Sequence, residues 1–311
     1  MIITSRITTF LIVSGYFAVA SFAPAAKEKP ASAGMSEYQK GVQLFDAQQY
    51  DQAVTEFTKA ILANNKQPAF YENRGFAYYA LERFPEAADD FSKTIELSPK
   101  EIRAYVGRAQ VFLQQKNYQQ ALADTEKALE IKPDEVAAIK FRGFAELGLS
   151  QWDKAVADFT TVIQKQPDDL LNYDRRALAY RGLKNFDAAI ADYTAILEKK
   201  PNDAETLTKR GYTYSLMEQY DKAIADYQAV LKINPQDNNT FQRLQFAQGR
   251  LAAKNAPPPT AAPTPTPEKP SLLTQINPLY IGIAIVVLVV IAVIVRLVTR
   301  GKAEPTSHRI R

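Results

Sequence analysis

The chain has 311 residues, 46% of them hydrophobic, with no cysteine and a single histidine, His308, near its carboxyl end. That inventory excludes a disulfide framework, a thiolate or histidine metal site, a Cys/His dyad and a Ser/His/Asp triad. The formal charge is +4, but Arg296, Arg300, Lys302, Arg309 and Arg311 less Glu304 already supply it, so the remainder is close to neutral and carries no electrostatic footprint for nucleic acid.

In chain order, "MIITSRITTFLIVSGYFAVASFA" places Arg6 before an apolar run and the small-residue pattern Ala18-Val19-Ala20 after it. Residues 1–20 are therefore expected to be a signal peptide, or an uncleaved signal anchor. The segment 21–35, which includes "APAAKEKPASAG", reads as a disordered leader.

From residue 36 to 254 the chain repeats itself every 34 residues without an insertion. Aromatics fall at Tyr50, Phe84, Tyr118, Trp152, Phe186 and Tyr220, and alanines at Ala53, Ala87, Ala121, Ala155, Ala189 and Ala223. Small residues recur at Gly41, Gly75, Ala109, Gly143, Ala177 and Gly211, and prolines close most units at Pro99, Pro133, Pro167, Pro201 and Pro235. The unit boundaries fall near 34–67, 68–101, 102–135, 136–169, 170–203 and 204–237, with a capping helix over 238–254. Each unit reads as two helices. In the second, Phe70 to Leu81 carries an apolar face, Pro85 suits the first turn of the next helix, and Ser98-Pro99 stops that helix after Leu97. Asp51, Asp153, Asp187 and Asp221 supply cap-type side chains where the second helix begins. In the cap, Phe241, Leu244 and Ala247 continue the first-helix pattern.

One stripe conflicts with a greasy interior. Arg74 shares a helix face with Tyr71 and Tyr78, and it recurs as Arg108, Arg142, Arg176 and Arg210, with Lys40 in the first unit. Asp90 recurs in the same phase as Asp124, Asp158, Asp192 and Asp226, with Glu56 in the first unit. The unit that changes the base also changes the acid. Pairing within each repeat leaves no member alone, whereas pairing with the next repeat strands Lys40 and Asp226. The alternative is a row of arginines facing a phosphate or nucleic-acid ligand, and the in-phase acids weigh against it.

After the repeats, "NAPPPTAAPTPTPEKP" opens a Pro-rich linker over 255–277 that favours extended polyproline conformation. At ~3.1 Å per residue its first stretch reaches roughly 50 Å. "LYIGIAIVVLVVIAVIV" then has no polar face, so 278–299 is expected to be a transmembrane helix. The basic tail 300–311 belongs in the cytoplasm by the positive-inside rule, which puts the repeats on the extracytoplasmic side. No G-x-x-x-x-G-K-[ST], H-E-x-x-H or G-x-S-x-G occurs, so no enzyme activity is expected.

The units "YENRGFAYYALERFPEAADDFSKTIELSP" and "LTKRGYTYSLMEQYDKAIADYQAVLKINP" resemble the tetratricopeptide repeat (TPR) family. The resemblance implies an all-α fold: a right-handed α-solenoid of six helix-turn-helix units whose first helices line a concave groove, plus the C-terminal cap and the transmembrane helix. It also implies a non-enzymatic protein that binds a protein or peptide, with no cofactor, no metal, no nucleic acid and no small-molecule substrate. Carried over by repeat phase, the groove positions are Glu72, Asn73, Phe76 and Tyr79; Arg103, Val106 and Gln110; Lys140, Phe141 and Phe144; Asp174, Arg175, Leu178 and Arg181; and Lys209 and Tyr212. Asn73 and Arg103 fit two places of the chaperone-tail clamp of some family members, but Tyr38, Val42 and Gly107 do not fit the others. The leading expectation is a membrane-anchored adaptor or scaffold, periplasmic or at the cell surface; the alternative is an organelle-membrane receptor or co-chaperone.

Overall fold

The computed structural model describes residues 32–256 and 277–300; the expectations for the signal sequence, most of the leader and Pro-rich linker, and the basic tail lie outside them. Among the described residues there are fourteen α-helices and no strand. The first twelve form six consecutive pairs: α1 (Met35–Asp46) with α2 (Tyr50–Ala63), α3 (Pro68–Ala80) with α4 (Phe84–Leu97), α5 (Ile102–Gln114) with α6 (Tyr118–Ile131), α7 (Val136–Gly148) with α8 (Trp152–Lys165), α9 (Leu170–Gly182) with α10 (Phe186–Lys199), and α11 (Ala204–Leu216) with α12 (Tyr220–Ile233). α13 (Asn238–Asn255) follows, and α14 (Pro278–Arg300) is a separate unit.

From α2 to α12 each helix packs on the one before it, so the pairs stack as a solenoid. First helices also touch the next first helix, α1 to α3, α3 to α5, α5 to α7 and α7 to α9, whereas the second helices make no comparable contact among the described residues. The stack therefore bends with its first helices on the inner wall.

The pairs close over the small residues. A methyl group on Gly75 would lie 3.0 Å from the Phe91 ring, and one on Gly41 would lie 2.6 Å from Phe57. Both phenylalanines are fully buried, so any larger residue there would push the two helices apart.

The turn between the helices of each pair was not legible in advance. Gln48, Glu82, Lys116, Ser150, Lys184 and Glu218 adopt φ of 57–61°, the left-handed region, although none is glycine. Glu82 N–H donates to the Tyr79 carbonyl at 3.0 Å and Arg83 N–H to the Tyr78 carbonyl at 2.8 Å, the double bond of a Schellman ending. The paired helices hold a conformation that costs an L-residue about 1 kcal/mol. This turn also corrects the capping expectation. The second helices begin one residue earlier than the aspartates, with Gln49, Gln151, Asn185 and Gln219 as N-caps. Asp51, Asp153, Asp187 and Asp221 sit inside the first turn, where they oppose the positive helix end without capping it.

The charged stripe pairs within each repeat, as expected. Arg74 donates through Nε and Nη2 to both Asp90 oxygens at 2.8 Å, and Arg142 does the same to Asp158 at 2.7 Å. Arg108–Asp124, Arg176–Asp192 and Arg210–Asp226 repeat the bidentate geometry, and Lys40 meets Glu56 at 2.9 Å. A third donor had no part in the sequence reading. Nη1 of Arg74, Arg108, Arg176 and Arg210 reaches back one repeat to Thr58, Ser92, Thr160 and Thr194, at 2.9–3.2 Å. Tyr71 and Tyr78 cover the faces of Arg74, and Tyr173 and Tyr180 those of Arg176, at 5.6–5.8 Å. Burial pushes the Asp90 and Asp192 carboxyls up while their arginines pull them down, so each pair chiefly removes a desolvation penalty.

The cap packs Leu244 and Ala247 onto Tyr220, Ala223 and Tyr227. Phe241 departs from the expected inward pattern and is 48% exposed. Its counterparts Tyr105 and Tyr173 pack beside Ala128 and Leu129, and Ala189 and Ile196, of the second helix of their own unit, and among the described residues α13 is the last helix of the stack. α14 carries a 21-residue apolar segment, Leu279–Thr299, long enough at ~1.5 Å per residue to cross a bilayer and apolar on every side.

Replacing Asp192 by Ala strands the half-buried Arg176 guanidinium and is expected to destabilise the solenoid by about 3 kcal/mol. The double change Arg176→Met with Asp192→Leu should recover most of that loss. Urea unfolding followed by circular dichroism checks both.

Candidate functional site

The inner wall is built from one face of α1, α3, α5, α7, α9, α11 and α13, so residues spaced by 34 run along it as a ladder: Val42, Phe76, Gln110, Phe144, Leu178, Tyr212 and Phe246. Phe76 packs edge-on against Phe91 at 4.9 Å, and Phe144 against Phe159 at 5.4 Å. Each therefore has one side in the stack and one side toward the groove. Arg103 lies over Phe76 at 5.2 Å and Arg175 over Phe144 at 5.7 Å.

A cavity of about 420 Å³ opens on this wall at the third to fifth repeats. Gln110, Phe144, Arg175 and Leu178 line it, joined by Leu113 and Leu147. Leu113 and Leu147 went unrecognised in the sequence, although they hold the same place in neighbouring repeats. Phe141 lies 6.4 Å from Phe144 on the same helix.

The other expected groove residues are mostly engaged within the protein. Glu72 is almost fully buried and pairs with Arg103 at 2.9 Å; burial raises its carboxyl pKa while Arg103 lowers it. Asn73 donates to the Tyr38 hydroxyl at 3.0 Å, and the Tyr79 hydroxyl accepts from Gln114 at 3.2 Å. Lys140 pairs with Asp169 at 2.8 Å, and Lys209 with Asp174 at 2.6 Å and Glu205 at 2.7 Å. Most of these contacts tie one first helix to the next or to its N-cap, while Lys209–Glu205 lies within α11. Sequence phase put the residues on the first helices, but it could not show that their polar ends were already partnered.

Arg181 and Tyr212 meet differently. Both Arg181, at 5.0 Å, and Arg243, at 5.3 Å, lie over the Tyr212 ring at the junction with the cap. Arg175 sits no closer than 4.0 Å to Asp174. Among the described residues no group of His, Cys, Asp and Glu side chains is arranged to hold a metal ion.

Family comparison bears directly on this architecture. One family model described as tetratricopeptide repeat matches residues 38–102 and 142–204, and a second matches 102–135 and 204–237, together more than half of the chain. The chain belongs to the tetratricopeptide repeat family. No curated protein matches it. Among solved structures, YrrB, described as a TPR protein with an unusual peptide-binding site, is similar at TM-score 0.55 and 22% identity, over 61% of this chain and 97% of YrrB. PilF of Pseudomonas aeruginosa gives 0.58 at 14% identity, over 69% and 97%. A chain of the APC/C hetero-tetramer Cut9–Hcn1 gives 0.56 at 16% identity, over 70% and 43%. At these identities the likeness is one of fold. TPR solenoids are protein-interaction folds.

The fourth repeat of this TPR stack breaks the pattern beside the cavity. Where other units put aromatics against the arginine, it has Ile139 and Glu146, and Glu126 replaces the hydroxyl that would receive Nη1. The Arg142 side chain is 31% exposed, against 16–22% for the other four. Glu146 is buried, and one of its carboxylate oxygens has no hydrogen-bond partner. Burial and then the Asp158 charge push its pKa up to about 7, opposed by Arg142 and Lys154. A carboxyl held protonated in the fold stabilises it fully below its unfolded pKa, and that contribution is lost as pH rises through about 7. Glu146→Gln is therefore expected to raise the melting temperature by several degrees at pH 8 and to have little effect at pH 4. Melting curves across that pH range check it, and Glu146→Tyr, restoring the ring found in three other repeats, should share the gain at pH 8.

Proposed function

We propose that this protein is a non-enzymatic adaptor, anchored in a membrane by its C-terminal span, that holds a protein or peptide partner in the TPR groove. The observation that carries this reading is the continuous inner wall. Aromatic and aliphatic groups recur along it with one face open, while the charges inside the stack neutralise one another. Half-open aromatics with arginines stacked over them are the composition of a binding surface. Phe76, Phe141, Phe144, Gln110, Arg175, Arg181 and Tyr212 are the residues assigned to partner contact. Glu72, Asn73, Tyr79, Arg103, Lys140 and Lys209 shape the wall through their contacts.

The span, the basic residues after it and the apolar amino-terminal segment support an extracytoplasmic placement for the solenoid, with 300–311 in the cytoplasm. The Pro-rich stretch 255–270 would stand the repeats away from the bilayer by up to roughly 50 Å. We assign 1–20 as the signal peptide and 36–254 as the solenoid.

A photo-crosslinking amino acid at Phe144 in the full-length protein, in its own cells, is expected to capture a discrete partner, while the same probe at Leu62 on the exposed side of α2 does not. Equal capture at both positions rejects the groove. Protease added outside intact cells, or to spheroplasts, should remove the repeats and leave the tail; full protection places them in the cytoplasm or an organelle.

A further inference from the structure

The cationic groups along the groove fall into two classes. Arg103, Lys140 and Lys209 each form an ion pair, but Arg181, Arg243 and Arg250 form none among the described residues. These three converge where the sixth repeat meets the cap. Arg181 and Arg243 both lie over the Tyr212 ring, Arg243 Nε donates to Asn239 Oδ1 at 3.2 Å, and Arg250 lies over Tyr220 at 5.9 Å while its Nε donates to that hydroxyl at 3.2 Å. Stacking occupies the planes of the guanidinium groups and leaves N–H edges available. The Arg181 Nε is buried without a hydrogen-bond partner.

Beside them is a cavity of about 410 Å³ lined by Tyr212, Leu216, Tyr220, Arg243, Phe246 and Arg250, among others. Phe246 is 61% exposed and continues the ladder of Phe144 and Tyr212. The acid in the lining is Glu218, whose charge bears on Arg250. Asp237 acts on Arg243 only weakly, because its carboxylate accepts bonds from Thr240 and Asn239 at the start of α13. The cationic edges outnumber these acids and face an apolar floor.

We propose that this end of the groove binds an acidic segment of the partner polypeptide, taking a carboxylate between the guanidinium edges and an adjacent apolar side chain against Phe246 and Leu216. The assignment rests on the groove reading above and names its specificity. A guanidinium fork matches a carboxylate with two parallel hydrogen bonds, and the aromatic faces beneath hold the forks in place. Lysines would not supply that geometry. The site is at the opposite end of the solenoid from Asn73 and Arg103, so it is distinct from the chaperone-tail clamp considered in the sequence.

The test uses the full-length protein in detergent micelles and two fluorescein-labelled octapeptides. One ends in Asp-Glu-Phe with a free carboxylate, and the other in Asn-Gln-Phe amide. Anisotropy is expected to show the acidic peptide binding at least about tenfold tighter, with affinity falling as salt is added. The double change Arg243→Gln with Arg250→Gln, and separately Phe246→Ala, should each weaken it by about tenfold or more. Lys127→Gln, on the exposed side of α6, should leave it unchanged, and unaltered melting curves confirm that the variants fold. Equal binding of the two peptides, no binding of the acidic one, or an unaffected double variant would overturn the assignment. Capture at Phe144 in cells without acidic-peptide binding sinks this assignment alone. Acidic-peptide binding without capture at Phe144 sinks the adaptor reading instead.

Discussion

A guanidinium placed inside a helical stack is costly unless its donors find acceptors, and the architecture of this solenoid follows from meeting that condition in full at four arginines and in large part at the fifth, Arg142. Two donors of each arginine close on the aspartate of its own repeat. In four of the five repeats the third reaches the hydroxyl one repeat earlier. The first two bonds fix the angle between paired helices; the third registers successive pairs. Because such a network is costly when half satisfied, it selects one packing arrangement over its competitors more than it adds net stability.

This accounting also defines what the groove offers. With the stripe arginines neutralised inside the stack, they do not colour the inner wall, and the charges that remain there can be read individually. Glu72, Lys140 and Lys209 turn out to be fastened to neighbouring repeats. The guanidinium groups near the cap are held by stacking and by single hydrogen bonds to neutral groups, with no carboxylate pairing them among the described residues. A wall that is apolar in its middle and cationic at one end would orient a bound polypeptide as well as retain it.

Most of the fold was legible because a 34-residue period turns one chain into six readings of the same unit. Phase alone paired Arg142 with Asp158 and put Phe144 and Tyr212 on the inner wall. It failed where a feature has no residue signature. The left-handed turns at Glu82 and Lys116 carry no glycine, since the closing helices impose the conformation, and the aspartates that looked like caps lie two positions beyond the N-caps as a result. Phase also could not foresee the exposure of Phe241, which sits on α13 at the end of the stack. Leu216, Arg243 and Phe246 were within reach of the same period, but a capping helix gives no signal of its own that it extends the groove.

The backward reach of the third donor decides which units can be copied in place. A duplicated unit would bring its own base and acid, and copies of the second, fourth and fifth would offer Ser92, Thr160 or Thr194 to the incoming Nη1, whereas copies of the third and sixth would offer Glu126 and Gln228. Gene duplication can therefore lengthen this trough most readily from those three units. A copy of the fourth would also import Glu146, a second buried carboxyl beside the Arg142–Asp158 pair.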